Sequence, residues 1–150
     1  MVEKAKKGKA VPEPFGYINN YAELIQLKAR ITTVEDLLNL DLLEEAMQVR
    51  AALYIRDVFS KIASSTAPDK TRDNEMLAQQ KLPMMESHFD SVSVRLFRER
   101  VKGDIARGAL KDAENTRLLE VMVKIFILES LQKDNGILFG AGYMAPAAYT

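Results

Sequence analysis

The stretch AENTRLLEVMVKIFILESLQKD, residues 113–134, constrains the fold more than any other part of the chain. Leu118, Val121, Met122, Ile125, Leu128 and Leu131 recur at steps of three and four, the spacing that lines one face of an α-helix. Val123, Phe126 and Ile127 nearly complete the circle. A helix apolar on most of its circumference needs neighbours on several sides. The rest of the chain must supply helices long enough to lie alongside it, or leave part of it bare.

Two other stretches supply such helices. Asp41 is expected to cap LLEEAMQVRAALYIRDVFSKIA, a helix over about 42–64 in which Leu42, Ala46, Val49 and Leu53, then Ala52, Ile55, Phe59 and Ile62, recur at helical spacing. Glu44 and Glu45 in its first turn and Lys61 in its last complement the helix dipole. Just upstream, Thr33 stands three residues before Asp36, close to a capping box. The region from about Asp73 to Arg107 is also read as mostly helical, with Pro83 either starting its main part or kinking it. Its stripe runs through Met85, His88, Phe89, Val92, Leu96, Phe97 and Val101.

Between these helices SSTAPDKTRDNE reads as a loop and KGDIARGALKD as a turn, while Asn135-Gly136 predicts a left-handed cap ending the third helix. The fold class that follows is all-α: an up-down-up bundle of three long helices, with no strand pattern or internal repeat competing. Helix 113–134 should expose more apolar surface than two partners can cover, so something else should lie against it. Residues 1–16, with lysines at 4, 6, 7 and 9 and prolines at 12 and 14, read as a flexible basic linker, and 17–150 as the bundle domain.

Composition narrows the functions. Lysine plus arginine equals aspartate plus glutamate, 21 each, so no net field recruits nucleic acid or an anionic membrane, and neither is expected as a partner. The absence of cysteine removes disulfides, thiolate nucleophiles and cysteine-based zinc sites. IFIL at 125–128 is far short of the roughly 20 apolar residues a membrane-spanning helix needs. The basic start MVEKAKKGKA has no apolar run after it and does not read as a signal peptide.

Chemistry is equally sparse. No phosphate loop of the GxGxxG or GxxxxGK[ST] type is present, and GAGY at 140–143 reads as a helix-terminating turn. His88, the only histidine, has Glu86 and Asp90 two residues to either side, on different helix faces from it. Glu44, Glu45 and Glu120 lack the Glu-x-x-His partner of di-iron bundles. The expectation is a chain with no catalytic, cofactor-binding or metal residues of its own, and a structural or partner-facing role for His88.

Four stretches, in order, resemble the C-terminal helical domain of the peroxisomal acyl-CoA oxidases. VPEPFGYIN (11–19) resembles the segment leading out of the family's flavin-binding helical domain. LLEEAMQVRAALYI (42–55) is similar to its Leu-x-Glu-Ala-x-x-x-Arg-Ala-Ala helix, here on Leu43, Glu45, Ala46, Arg50, Ala51 and Ala52. ESHFDSVSVRLFRERV (86–101) resembles its Glu-Ala-His helix, and LESLQKDNGILFGAGYM (128–144) its closing helix and Asn/Gly turn. The resemblance implies part of a four-helix-type domain, with another long helix following.

It also implies a parent enzyme that uses FAD to turn acyl-CoA into trans-2-enoyl-CoA, a carboxylate taking the α-proton and oxygen reoxidising the flavin to give hydrogen peroxide. Catalytic glutamate, flavin contacts and acyl-CoA pocket would lie in the preceding domains, and this chain would supply support and homodimer contacts. Peroxisomal location is implied by the family alone, since the terminal AYT is not a Ser-Lys-Leu type address. The alternative is a free-standing helical adaptor that docks partner helices beside helix 113–134.

Overall fold

The computed structural model describes residues 10–12, 15–66, 68, 71 and 77–149. Three long helices dominate: α2 (Leu40–Ser64), α3 (Leu82–Ala106) and α4 (Ala113–Lys133), flanked by the short helices α1 (Tyr21–Leu24) and α5 (Gly136–Gly140). Among the described residues the sole β-type pairing is an isolated parallel bridge between Ile31 and Met144. The chain is all-α and a helical bundle, as its periodicity requires.

The helix ends follow local chemistry, with two corrections. Thr33 and Asp36 cap each other: the Thr33 Oγ1 accepts from the Asp36 N–H at 3.3 Å, and Asp36 Oδ2 accepts from the Thr33 N–H at 3.0 Å. This box opens the 3-10 turn Glu35–Leu38. The cap of α2 is Asn39, not Asp41. Asn39 sits in extended backbone and its Oδ1 accepts from the N–H groups of Asp41 and Leu42 at 3.0 and 3.3 Å. Asp41 already lies in the first turn and pairs with Arg98 at 2.6 Å.

The second correction concerns the end of α4. Asn135 is right-handed (φ −79, ψ −16), and its carbonyl accepts from Leu138 and Phe139 at 3.0 and 3.1 Å, so Gly136 opens α5 instead of forming a left-handed cap. The left-handed stop belongs to α3. Gly108 has φ +69, and the Ala109 N–H reaches back to the Asp104 carbonyl at 2.9 Å. Pro83 starts a helix and does not kink one: it lies in the first turn of α3, preceded by a π-type turn at Leu77–Lys81. A proline there gives up an N–H that has no helical partner anyway. The expected helical start near Asp73 falls outside the described residues.

Side-chain pairs fix the directions. Arg98, late in α3, meets Asp41 and Glu44 at the start of α2, whereas Ser87 and Asp90, early in α3, meet Arg50 further along α2. The two helices are antiparallel. Ser130, late in α4, joins the same Arg50, so α4 runs back alongside α2. The order is up-down-up.

Helix α2 is central. Leu43, Ala46, Ala51, Ala52 and Leu53 are wholly buried, and the alanines let neighbouring backbones approach closely. Val92 and Val94 come from α3, and Val123, Ile127 and Leu131 from α4. The two ends of the chain close the core together: Tyr17, Ile18, Leu24 and Ile31 from one, Leu138, Tyr143 and Met144 from the other. Val11 is buried as well, so the packed chain reaches into the stretch read as linker; most of 1–16 lies outside the described residues.

Only part of α4 finds cover. Val123, Ile127 and Leu131 face inwards, but Leu118 is 57% exposed, Met122 55%, Ile125 52% and Phe126 44%. A groove of about 250 Å3 runs beside this ridge between α3 and α4, walled by Val94, Phe97, Met122 and Phe126. No helix among the described residues is long and apolar enough to cross a membrane.

Candidate functional site

Polar side chains inside the bundle gather at Arg50. Its guanidinium is almost fully buried on α2, and donates from Nε to Ser87 Oγ at 3.1 Å, from Nη1 to the Ser130 carbonyl at 2.5 Å, and from Nη2 to Ser130 Oγ at 2.8 Å and Asp90 Oδ2 at 3.1 Å. Ser130 Oγ also bonds to Asp90. One residue therefore ties all three long helices. Burial pulls the Arg50 pKa below its usual value, and Asp90 opposes that pull. A cavity of about 50 Å3 opens beside it, walled by Tyr54, Glu86, Lys133 and Asp134. That is room for a bridging water, not for a cofactor.

A second cluster closes the chain ends. Tyr143 is wholly buried and its hydroxyl donates to Glu45 Oε1 at 2.9 Å, which also receives Arg30 Nε at 2.9 Å. Burial, followed by the Glu45 charge, raises the Tyr143 pKa, so the phenol stays protonated. The two charged residues of the Leu-x-Glu-Ala-x-x-x-Arg-Ala-Ala pattern, Glu45 and Arg50, are thus the two that anchor these clusters. Both are committed to holding the bundle.

His88 lies at neither cluster. Its imidazole is half-buried, stacked on the Phe15 ring at 5.3 Å with the planes 11° apart, and its Nδ1 bonds the Tyr17 hydroxyl. Glu86 and Asp90 do not join it: Asp90 turns to Arg50 and Glu86 lines the cavity there. The GAGY segment is a turn. Gly142 is left-handed at φ +71, and the amides of Ala141, Gly142, Tyr143 and Met144 are all spent on carbonyls between Ile137 and Phe139. None of those four N–H groups remains to cradle a phosphate. No group of three or more His, Cys, Asp or Glu among the described residues could hold a metal ion.

Sequence reasoning did not single out Arg50 as a hub. The available signal was an arginine flanked by Val49 and Ala51 in an otherwise apolar stretch, with serines and an aspartate facing it from helices still unplaced.

The acyl-CoA oxidase family model matches residues 39–150, from the Asn39 cap through all three long helices to the tail. No curated protein and no solved structure matches the chain.

Proposed function

This chain belongs to the acyl-CoA oxidase family, and from that premise we propose that it is the helical support domain of an FAD-dependent acyl-CoA oxidase of fatty-acid β-oxidation. In this reading the domain supplies subunit and domain contacts in a peroxisomal enzyme that converts acyl-CoA to trans-2-enoyl-CoA with hydrogen peroxide, and performs none of the chemistry. One observation carries it: the charged groups inside the bundle are consumed in tying helices together, while the apolar ridge of α4 is left uncovered. The donor set does not fit a flavin: the amides of Ala141, Gly142 and Tyr143 are spent internally, and the buried guanidinium already donates to Ser87, Ser130 and Asp90. FAD and acyl-CoA belong, on this reading, to the remaining domains of the enzyme, and the ridge packs against those domains or a second copy.

Isothermal titration of the chain with FAD and with a long-chain acyl-CoA tests the division of labour. No measurable heat is expected with either. Micromolar binding that is lost on Gly142→Ala would overturn it.

A further inference from the structure

We propose that Asn135 is a site of spontaneous isomerisation to isoaspartate, and that the product unseats the tail of the chain from the core. An asparagine loses its amide when the backbone nitrogen of the next residue attacks the side-chain carbonyl. A side chain held by hydrogen bonds, or a bulky residue following, obstructs that attack. Among the described residues Asn19, Asn39 and Asn115 are held. Asn19 bonds twice to the Val11 backbone, Asn39 caps α2, and Asn115 donates to Asp112 at 3.0 Å. Asn20 makes no such bond, but Tyr21 follows it. Asn135 alone joins an unbonded side chain to a following glycine, and Gly136 lies exposed at the start of α5.

The chemistry needs only water and hydroxide. The Gly136 nitrogen gives its proton to hydroxide and bonds to the Asn135 side-chain carbonyl carbon; the C–NH2 bond breaks and ammonia leaves. Water then opens the cyclic imide. Cleavage at the side-chain carbonyl yields aspartate. Cleavage at the main-chain carbonyl yields isoaspartate, in which the chain runs through the former side chain and the former backbone carbonyl is a free carboxylate. The fold slows the first step without forbidding it. With ψ at −16 the Gly136 nitrogen is turned away from the side chain, so the turn must open before the ring can close.

The position gives the product its effect. The Asn135 carbonyl accepts from the Leu138 and Phe139 amides at 3.0 and 3.1 Å and so starts α5. In isoaspartate that carbonyl has left the main chain, which is longer by one methylene, about 1.5 Å. Just beyond, Leu138 is wholly buried, and Tyr143 and Met144 follow it into the core. Close packing leaves no slack for such a displacement. The bonds at stake join the two chain ends: the Ala29 and Arg30 amides donate to the Gly142 and Tyr143 carbonyls at 2.8 and 2.9 Å. Aspartate at the same position keeps the backbone as it was and leaves the tail in place.

Ageing the whole chain at mildly alkaline pH, with the products mapped by mass spectrometry, tests the site. Isoaspartate should accumulate at Asn135 ahead of Asn19, Asn20, Asn39 and Asn115. Gly136→Ala should slow it several-fold, because the methyl shields the attacking nitrogen; a Cβ there meets no atom within 4 Å, so the fold accepts it. The isoaspartyl chain, separated by ion exchange, is then compared with Asn135→Asp by hydrogen exchange. Protection of the Ala29 and Arg30 amides, relative to amides of α2, should drop several-fold in the isoaspartyl chain and stay level in Asn135→Asp. No preference for Asn135, or an unchanged rate in Gly136→Ala, would overturn the assignment of the site. Unchanged Ala29 and Arg30 protection in the isoaspartyl chain, or the same drop in Asn135→Asp, would overturn its effect on the tail.

Discussion

Arg50 and Ser130 meet twice, through the Ser130 carbonyl at 2.5 Å and its hydroxyl at 2.8 Å, and this paired contact docks α4 onto the central helix. Removing the guanidinium leaves the partly buried Asp90 carboxylate without its cation, and the Ser87 hydroxyl and Ser130 carbonyl without their donor. Arg50→Met should lower stability by about 2–4 kcal/mol, the usual cost of breaking one side of a buried, hydrogen-bonded ion pair. Urea denaturation measures it. Adding Asp90→Leu to the same chain should recover part of the loss, because the uncompensated carboxylate goes with it. A neutral single mutant would mean that the helices are held by apolar packing alone.

Ala29 sits at φ +49, a left-handed conformation that costs an L-residue roughly 1–2 kcal/mol. Its N–H donates to the Gly142 carbonyl at 2.8 Å, which keeps it there. Ala29→Gly should therefore stabilise the chain by about 0.5–1 kcal/mol, after the entropy glycine adds to the unfolded state. Gly142→Ala should do the opposite by about 1–2 kcal/mol, since φ is +71 and the new methyl would touch Lys28. Thermal melting of both variants gives the pair of signs.

Phe126 and Ile127 are neighbours with opposite fates. Ile127 is fully buried, and Ile127→Asp should unfold the bundle, costing about 4 kcal/mol or more. Phe126 is 44% exposed beside the groove, so Phe126→Asp should leave the far-ultraviolet circular dichroism unchanged. If the ridge pairs with a second copy, sedimentation at high micromolar concentration will show the wild type heavier than a monomer and Phe126→Asp closer to one. A wild type that stays monomeric under those conditions removes self-association from the functional reading.

Asp36 should titrate below its ordinary 3.8, because the backbone N–H groups of Thr32 and Thr33 donate to its ionised carboxylate. Its folded value is depressed, so what it adds to stability is present above 3.8 and is lost as pH falls through the lower value. Asp36→Asn should flatten that part of the acid limb in a pH series of urea melts, and a titration at the ordinary value would show the cap to be unformed.

The helices were legible because their apolar period is long and regular, and so was the apolar excess of α4, but not its facing: Leu118, Val121, Met122 and Ile125 of the expected stripe are exposed, whereas Val123 and Ile127, read as completing the circle, are buried. The errors sit where one residue's side chain outbids another's. Asn39 and Asp41 are both good caps, and the choice fell to Asn39 because Arg98, 57 residues later, holds Asp41 in the first turn. Asn135-Gly136 carries a stop signal, but the burial of Leu138 and Tyr143 draws the chain into another helical turn. Arg50 and Tyr143 could not be placed from sequence for the same reason. Their partners lie 37 to 101 residues away, and no local pattern encodes that meeting.

The clasp between the chain ends sets an order of events. Lys28 and the Ala141 carbonyl meet across 113 residues, beside the Ile31–Met144 bridge. Closing a loop of that length costs about 4 kcal/mol in a flexible chain, far more than any single bond in the clasp returns. Helices α2, α3 and α4 dock through neighbours in sequence and can assemble first, shortening the effective loop before the ends meet. The clasp is then expected late in folding and early in unfolding, so that refolding followed at Tyr143 should lag behind the far-ultraviolet signal of the helices.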